Sequence, residues 1–306
     1  MMWTRSLMPS SIENADSAEY NRGLIMLKRI ITSIVAIFVL IPVLVFSHTW
    51  VFPLALSVVG LISLYELFKC MGVHKKPAIV IPLYIYGAIA PFLLRYNPLG
   101  DPMAFALISF MVGALYLIYL FSLIVWSHGK LQFNDALTVF AMAAYIIAAL
   151  NSIIYVRDYG EGGKYLYLLI FIGAWITDSF AYFTGYLFGK HKLIEDVSPK
   201  KTIEGSIGGI VFCALAFVGF GLIVKHFAGT EANLIFLAIS AVILSVISQI
   251  GDLIMSVVKR HYNIKDYGKI FPGHGGMLDR FDSILAVSLG LAVVCMFVTL
   301  TGIKLI

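Results

Sequence analysis

Residues 256–282 read SVVKRHYNIKDYGKIFPGHGGMLDRFD and interrupt an otherwise apolar sequence. The flanking segments, 232–257 and 283–301, are each apolar and close to the length of about 20 residues that a bilayer span requires. The interruption itself is highly polar, with Lys or Arg at 259, 260, 265, 269 and 280, Asp at 266, 279 and 282, and Gly at 268, 273, 275 and 276. Because clustered charge is unfavourable beside lipid, we expect this stretch to have a chemical purpose. The mixture suits the binding of a polyphosphate, through a metal ion and cationic side chains, at the membrane surface.

The composition excludes an ordinary soluble domain. Of the 306 residues, 60% are hydrophobic and 13% are charged, and the mean hydropathy is +0.92. Since soluble domains average about a quarter charged residues, the sequence predicts an all-α polytopic membrane protein. The cysteines at 70, 213 and 295 lack metal-binding spacing, so we interpret them as small apolar fillers. We find no pattern typical of nucleic-acid binding and expect no such partner.

Hydropathy predicts nine transmembrane helices, at about 30–47, 50–68, 78–94, 103–126, 136–156, 165–189, 207–225, 232–257 and 283–301. With the N-terminus inside, 17 of the 22 basic residues lie on the inner side. Because inner loops carry an excess of Lys and Arg, this split predicts a cytoplasmic N-terminus and a C-terminus on the far side. It also places both charged loops, 190–202 and 258–282, in the cytoplasm, where nucleotides are.

The chain divides into three parts by composition. Residues 1–23 form a polar N-terminal segment that we expect to be flexible, and residues 24–160 form N-terminal transmembrane helices joined by short loops. Residues 161–306 hold nearly all the unusual polar content and are interpreted as a catalytic transmembrane region. In the first half, only Glu66 suggests chemistry, and its simplest interpretation is a local ion pair with Lys69.

The eighth predicted helix has a polar stripe on an otherwise apolar surface. Ser245, Gln249, Asp252, Ser256 and Lys259 follow one another at intervals of four, three, four and three residues, which places them on one helical face. A packing seam would explain the serines and the glutamine. An aspartate inside lipid needs a cation or a metal ion as a partner, so the stripe favours a functional site.

The loop that follows contributes a second group of polar residues. Lys265 precedes the glycine-rich turn around His274, which can bring backbone N–H groups close to an anion. Asp279 and Asp282 share a helical face and flank Arg280. Two adjacent carboxylates repel each other, so a bound divalent cation is expected, and oxygen-rich sites of this kind suit Mg²⁺.

The loop between the sixth and seventh helices repeats the theme. Ser198, Lys200 and Lys201 precede the start of a helix and form a plausible phosphate cradle, although paired lysines also serve as a topology signal. Glu204 is a candidate for a metal or ribose contact. Upstream, Asp178 lies well inside the sixth predicted helix, and we expect it in a water-filled cavity open to the cytoplasm; a structural ion pair with a loop lysine is the alternative.

These motifs resemble the signature of the phosphatidate cytidylyltransferases. The resemblance rests on residues 256–282, on DSFAY at 178–182, on SPKKTIEG at 198–205 and on QIGD at 249–252. It implies an integral enzyme of the bacterial inner membrane that condenses CTP with phosphatidic acid, giving CDP-diacylglycerol and pyrophosphate. It further implies a homodimer that depends on Mg²⁺, with room for a second, monovalent cation.

The resemblance also implies roles for individual residues. The metal ligands would be Asp252, Asp279 and Asp282, which act with Lys259 in catalysis. Phosphate handling would involve Lys200, Lys201, Lys259, Arg260 and Arg280. Two other classes remain open: a cation-coupled transporter that uses Asp178 and Asp252 as ion sites, and a lipid kinase that uses CTP as its phosphate donor.

Overall fold

The computed structural model describes residues 31–32, 34–97, 100–128, 131–302 and 305–306. The predicted flexible segment 1–23 and the basic residues Lys28, Arg29, Lys130 and Lys304 lie outside this part of the chain. The described helices are α1 (Ile34–Val45), α2 (Val51–Cys70), α3 (Pro77–Arg95), α4 (Pro102–Trp126), α5 (Phe133–Arg157), α6 (Gly163–Leu166), α7 (Leu168–Phe188), α8 (Ile203–Ala228), α9 (Leu234–His261) and α10 (Leu278–Thr301).

The all-α polytopic fold is confirmed. Among the described residues, eight segments are long and apolar enough to cross a membrane, with α6 and α7 together forming one of them (Gly163–Phe188). The shorter helix α1 lies along the bundle, at the position of the first predicted span (about 30–47). Near its start, the Thr32 hydroxyl donates to the Pro272 carbonyl at 3.3 Å, and near its end, Tyr167 donates to the Leu44 carbonyl at 2.9 Å. These two contacts lie at opposite ends of the bundle.

A two-stranded hairpin joins α7 to α8 and was not predicted from hydropathy. Strands β1 (Lys192–Ile194) and β2 (Ser198–Thr202) pair in an antiparallel register, with Lys192 opposite Thr202 and Ile194 opposite Ser198. At the end of β2, the Thr202 hydroxyl accepts the Gly205 N–H at 3.1 Å and so caps α8. The cap satisfies a backbone group that has no acceptor within the helix, and it fixes where the hairpin ends.

The site-bearing helices pack around α10. This helix contacts α2, α5, α7 and α9, and α8 packs against both α7 and α9. Helices α9 and α10 cross closely at Gly251 of α9, where an added β-carbon would collide with the β-carbon of Ala286 and approach the Asp282 carbonyl to 3.3 Å. Glycine therefore allows α9 and α10 to approach each other beside two of the aspartates that the sequence singles out.

The opposite end of the bundle carries a separate ion-pair group. Arg95 and Arg157 both bind the Asp158 carboxylate, at 3.1 Å and 3.2 Å. Their position, remote from α9's C-terminal end and from the hairpin, agrees with the predicted assignment of these two arginines to the far side.

Candidate active site

The five polar residues predicted to share one face of α9 do lie on one helix, and each has a polar partner. Thr177 donates to the Ser245 hydroxyl at 2.9 Å, and Gln249 donates to the Ser206 carbonyl at 3.3 Å. Nearer the end of the helix, the partners are charged. These contacts attach one face of α9 to α7, α8 and α10, and the charged part of the stripe is where the predicted site residues meet.

Three carboxylates converge beside the crossing of α9 and α10. Ser283 links two of them, since its hydroxyl donates to Asp178 Oδ2 at 2.8 Å and its N–H donates to Asp282 Oδ1 at 2.9 Å. Asp252 is close enough to repel both. Lys201 is the cation in direct contact, with its Nζ 2.6 Å from Asp252 Oδ2. Arg280 attracts Asp178 and Lys259 attracts Asp282 electrostatically, but Lys259 is already paired with Asp279, so negative charge remains in excess at this point.

Asp178 is accessible, whereas Asp282 is buried. Asp178 lies near the middle of α7, at the depth expected for the membrane interior, and protein atoms nevertheless crowd around it. The water-filled cavity expected around Asp178 stays a prediction. Tyr145 of α5 contributes a further group that sequence analysis missed: its hydroxyl is buried, has no hydrogen-bond partner among the described residues, and interacts electrostatically with Asp282.

Asp279 has a different environment. Its Oδ1 binds Lys259 Nζ at 2.9 Å, and its Oδ2 accepts the N–H groups of Tyr267 and Gly276 at 2.8 Å and 2.9 Å. The Tyr267 hydroxyl donates to the Met255 carbonyl at 2.9 Å, and burial raises the pKa of this phenol well above its usual range, so it remains a donor. Asp279 thus fastens the loop between α9 and α10 to both helices.

Glu66 does not form the predicted ion pair with Lys69. Its carboxylate points across the bundle, where Oε1 accepts the Met277 N–H at 3.1 Å and Oε2 accepts the Leu278 N–H at 2.9 Å. The local spacing of Glu66 and Lys69 suggested a local ion pair, but Glu66 is 2% exposed and therefore needs buried partners. Sequence analysis missed this contact because the two N–H groups lie more than 200 residues away in the chain.

The glycine-rich turn closes on itself. Phe271 and Gly275 are paired through their backbones, and the His274 N–H donates to the Phe271 carbonyl at 2.9 Å. Gly273 and Gly275 have φ angles of 81° and 86°, in the left-handed region that favours glycine. The tight turn expected from the sequence is therefore present.

The backbone N–H groups that follow the turn already donate to carboxylate side chains of the protein. Asp279 takes the N–H of Gly276, and Glu66 takes those of residues 277–278. The expectation that the backbone of the turn would approach a substrate phosphate is therefore corrected at Gly276, whose N–H is bound to Asp279.

A cavity of about 650 Å³ lies beside the turn, and basic side chains outnumber the one acidic side chain, Asp266, in its wall. Lys265, Lys269, His274 and Arg280 contribute to its wall. Three of these were predicted, and Lys269 was not singled out. Arg280 also attracts Asp178 electrostatically, so the cavity and the carboxylates are adjacent. Arg260, at the exposed end of α9, is not among the described residues that line this cavity.

The hairpin places its predicted residues differently. Lys201 points inward to Asp252, whereas Lys200 is exposed and Ser198 is a half-buried strand residue. Glu204 binds the hairpin itself: it accepts the N–H groups of Lys190 and His191 and lies 2.6 Å from the His191 ring. The structure therefore gives Glu204 a role in holding β1 against the start of α8.

Within the described residues, no group of three Asp, Glu, His or Cys side chains is arranged to hold a metal ion. A magnesium site does not need one, because Mg²⁺ binds through one or two carboxylates together with waters and substrate phosphates. Asp252 and Asp282 fit this requirement, since they are carboxylates in a region with excess negative charge. Asp279 fits it less well, because Lys259 and two N–H groups already occupy its oxygens.

The comparisons with known proteins agree on one family. Residues 27–298 match the model of the Cytidylyltransferase family. A phosphatidate cytidylyltransferase of Staphylococcus haemolyticus is 34% identical over 260 residues, which cover 85% of this chain and 95% of that protein. Proteins of the same name from Staphylococcus epidermidis and Staphylococcus aureus are 31% and 33% identical over 259 residues, with the same coverage. The matched region includes both charged loops.

Proposed function

The chain belongs to the cytidylyltransferase family, and we propose that it transfers the cytidylyl group of CTP to phosphatidic acid, forming CDP-diacylglycerol and pyrophosphate. The observation that carries this proposal is a basic cavity beside a group of three carboxylates at one end of a membrane bundle. The first feature suits a triphosphate, and the second suits a divalent cation. Membership of this family argues against the alternative of a cation-coupled transporter.

The reaction needs no strong general base. The nucleophile is the phosphate monoester of the lipid, whose second pKa is about 6, so it is mostly a dianion near neutral pH. It attacks the α-phosphorus of CTP, a P–O bond to the lipid phosphate forms, and the bond to the pyrophosphate leaving group breaks. The main barrier is the approach of two polyanions, so cationic side chains and correct alignment should dominate catalysis.

The cavity residues are suited to the triphosphate. Lys265 and Lys269 project from the exposed loop, and Arg280 follows on the first turn of α10. Arginine can bind phosphate oxygens in a two-pronged geometry, whereas lysine acts as a flexible point charge. We assign binding of the β- and γ-phosphates to the two lysines. We assign Arg280 to the phosphate oxygens nearest the carboxylates, because among the cavity residues it is Arg280 that attracts Asp178.

We assign Mg²⁺ to Asp252 and Asp282. When bound, it would neutralise phosphate charge and align the two substrates. Lys201 already pairs with Asp252 through a buried ammonium group, so the phosphate contact expected of it requires this group to turn towards the substrate. Asp279 is assigned to positioning Lys259 and the loop. The second, monovalent cation stays a prediction.

The lipid head group can reach this site from the membrane. Asp252 lies about 13 Å from the end of α9 along the helix axis, given a rise of 1.5 Å per residue. The site therefore lies deeper in the bundle than the loops. The head group of an embedded lipid would need to move only a short distance to reach it. The acyl chains remain in lipid, and CTP enters from the side of the hairpin and the glycine-rich turn.

The basic end of the bundle is proposed to face the cytoplasm, with the C-terminus on the far side, as the distribution of Lys and Arg predicts. Labelling of single cysteines at residues 195 and 160 with an impermeant reagent in intact cells would test this orientation. The homodimer also stays a prediction, and the mass of the protein in nanodiscs would test it.

The decisive experiment uses CTP labelled separately at the α- and γ-phosphates, with phosphatidic acid, Mg²⁺ and the purified full chain. Cytidylyl transfer moves the α-label into lipid and releases the γ-label as pyrophosphate. A γ-label in the lipid would identify a CTP-dependent kinase instead. Transfer to neither product by folded protein would refute the proposal.

A matched pair of variants connects that activity to the site. Asp282→Asn removes a buried charge beside Asp252, and Glu195→Gln removes an exposed charge from the nearby hairpin turn. We expect α-label transfer to fall steeply in the first variant and to be unchanged in the second. Equal activities would refute the assignment of the carboxylate group.

A further inference from the structure

Glu66 is a buried carboxylate that the proposed reaction does not use. It lies on α2, in the N-terminal half of the chain, and its side chain is 2% exposed. A buried ionisable group in a membrane protein must have strong partners, because the bilayer supplies none. The partners of Glu66 are in the catalytic half, 211 and 212 residues away.

The carboxylate caps the start of α10. Its two oxygens accept the N–H groups of Met277 and Leu278, at 3.1 Å and 2.9 Å. The first N–H groups of any helix lack acceptors within that helix, and the helix dipole favours an anion at this end. A capping carboxylate normally comes from the residue just before the helix, but here it comes from another helix.

The surrounding loop is shaped to admit this side chain. A β-carbon at either Gly268 or Gly276 would collide with the Glu66 carboxylate. Both glycines belong to the loop between α9 and α10, Gly268 near its middle and Gly276 close to the start of α10. The absence of side chains at these positions lets the carboxylate pass between them and reach the helix.

The contacts continue from Glu66 to the reacting groups. Gly276, which touches the Glu66 carboxylate, donates its N–H to Asp279, and Asp279 binds Lys259. Asp282 lies one helical turn beyond the capped residues. Glu66 is not among the described residues that line the cavity, so it acts on the substrates through other residues.

We infer that Glu66 is a positioning residue that fixes the first turn of α10, and with it Asp279, Arg280 and Asp282, relative to α9. This inference deepens the proposed cytidylyl transfer and rests on it. A carboxylate that holds two consecutive N–H groups limits both rotation and sliding of the helix end. Without it, α10 can shift at the end that carries the site.

The most informative variant is Glu66→Gln. Glutamine has nearly the same size, but it offers one acceptor oxygen and one NH₂ donor, and the donor would face a backbone N–H. The cap is therefore broken without a cavity. Glu66→Asp keeps the charge but shortens the side chain, so it should retain part of the cap and part of the activity.

Ser63→Ala is the matched control. Ser63 lies on α2 one turn before Glu66, is 1% exposed, and its hydroxyl has no hydrogen-bond partner among the described residues. The substitution removes a buried polar group from the same helix and breaks no hydrogen bond to α10. A general effect of altering α2 would appear in both variants.

Two readouts test the inference on full-length protein in nanodiscs. The first is kcat and KM for CTP and phosphatidic acid, per folded molecule. Since displacement of a catalytic group by about 1 Å can lower the rate about 100-fold, we expect a loss of that order in kcat for Glu66→Gln, with KM for CTP nearly unchanged. The second is amide hydrogen exchange, which should become faster at residues 277–279 in this variant and stay unchanged in Ser63→Ala.

The two readouts separate the inference from the proposed function. Normal kcat in Glu66→Gln, or unchanged exchange at residues 277–279, would overturn the positioning role. If Glu66→Gln does not fold, Glu66→Asp carries the same test, with a smaller expected loss in kcat and the same local increase in exchange. If the unmodified protein transfers no cytidylyl group, the proposed function fails, whereas hydrogen exchange still reports whether Glu66 holds α10.

Discussion

Replacing Gly251 by alanine tests whether the close crossing of α9 and α10 sets the geometry of the site. The new β-carbon would overlap the β-carbon of Ala286 and lie 3.3 Å from the Asp282 carbonyl. Neither obstacle is the mobile end of a flexible side chain, since both belong to or adjoin the backbone of α10. The helices must therefore move apart at the position of Asp282, next to Asp252.

The expected magnitude follows from the required separation. Non-bonded carbon atoms sit about 3.5–4.0 Å apart, so relieving the overlap needs a displacement of about 1 Å or more. Overpacking of this kind typically destabilises a protein by about 1–3 kcal/mol. A displacement of about 1 Å between reacting groups lowers the rate about 100-fold, which corresponds to about 2.7 kcal/mol and is comparable with the upper end of the effect on stability.

The assay is α-label transfer from CTP to phosphatidic acid, normalised to folded protein, together with thermal unfolding. Gly219→Ala is the control, because Gly219 also lies in a membrane helix but a β-carbon there meets nothing within 4 Å. Gly251→Ala should lose about 100-fold in kcat, and Gly219→Ala should be unaffected. Equal activity in the two variants would refute the argument that this crossing aligns Asp252 with Asp282.

Three further predictions concern the charged residues and the metal. Asp282→Ala should nearly abolish label transfer, whereas His274→Ala should lose less, because His274 shapes the turn; an equally deep loss in folded His274→Ala would contradict this ordering. Lys269→Ala should raise KM for CTP with little change in KM for phosphatidic acid, and the initial-rate dependence on each substrate would show a different result if Lys269 lay outside the nucleotide site. Chelation by EDTA should abolish transfer and added Mg²⁺ should restore it, so activity that survives exhaustive chelation would exclude a divalent cation.

The sequence predicted the features that depend on local spacing. Helical periodicity places Ser245, Gln249, Asp252, Ser256 and Lys259 on one face wherever α9 lies in the bundle, so the stripe could be identified without knowing its neighbours. Hydropathy likewise predicted the membrane helices, because the length of a span is set by the bilayer.

The sequence did not reveal features that depend on distant contacts. The partners of Glu66 lie more than 200 residues away, so its nearest sequence neighbour, Lys69, suggested the wrong interaction. The hairpin was missed because its strands have three and five residues and lack the alternation of apolar and polar side chains that predicts strands. Glu204 was assigned to substrate because its backbone partners at residues 190–191 become neighbours only when the hairpin forms.

The long-range cap on α10 has a consequence for how the protein is made. Chains emerge from the ribosome at about 5–20 residues per second, so the 211 residues that separate Glu66 from Met277 take about 10–40 s to synthesise. During that interval α2 is already in or near the membrane with its carboxylate unpaired, because the helix it caps does not yet exist. Insertion of α10 then completes the binding of Glu66 and assembles the reaction centre in a single event. A nascent chain that stops before residue 278 has the membrane helices that precede α10, but it lacks Asp279, Arg280 and Asp282 and therefore a complete site.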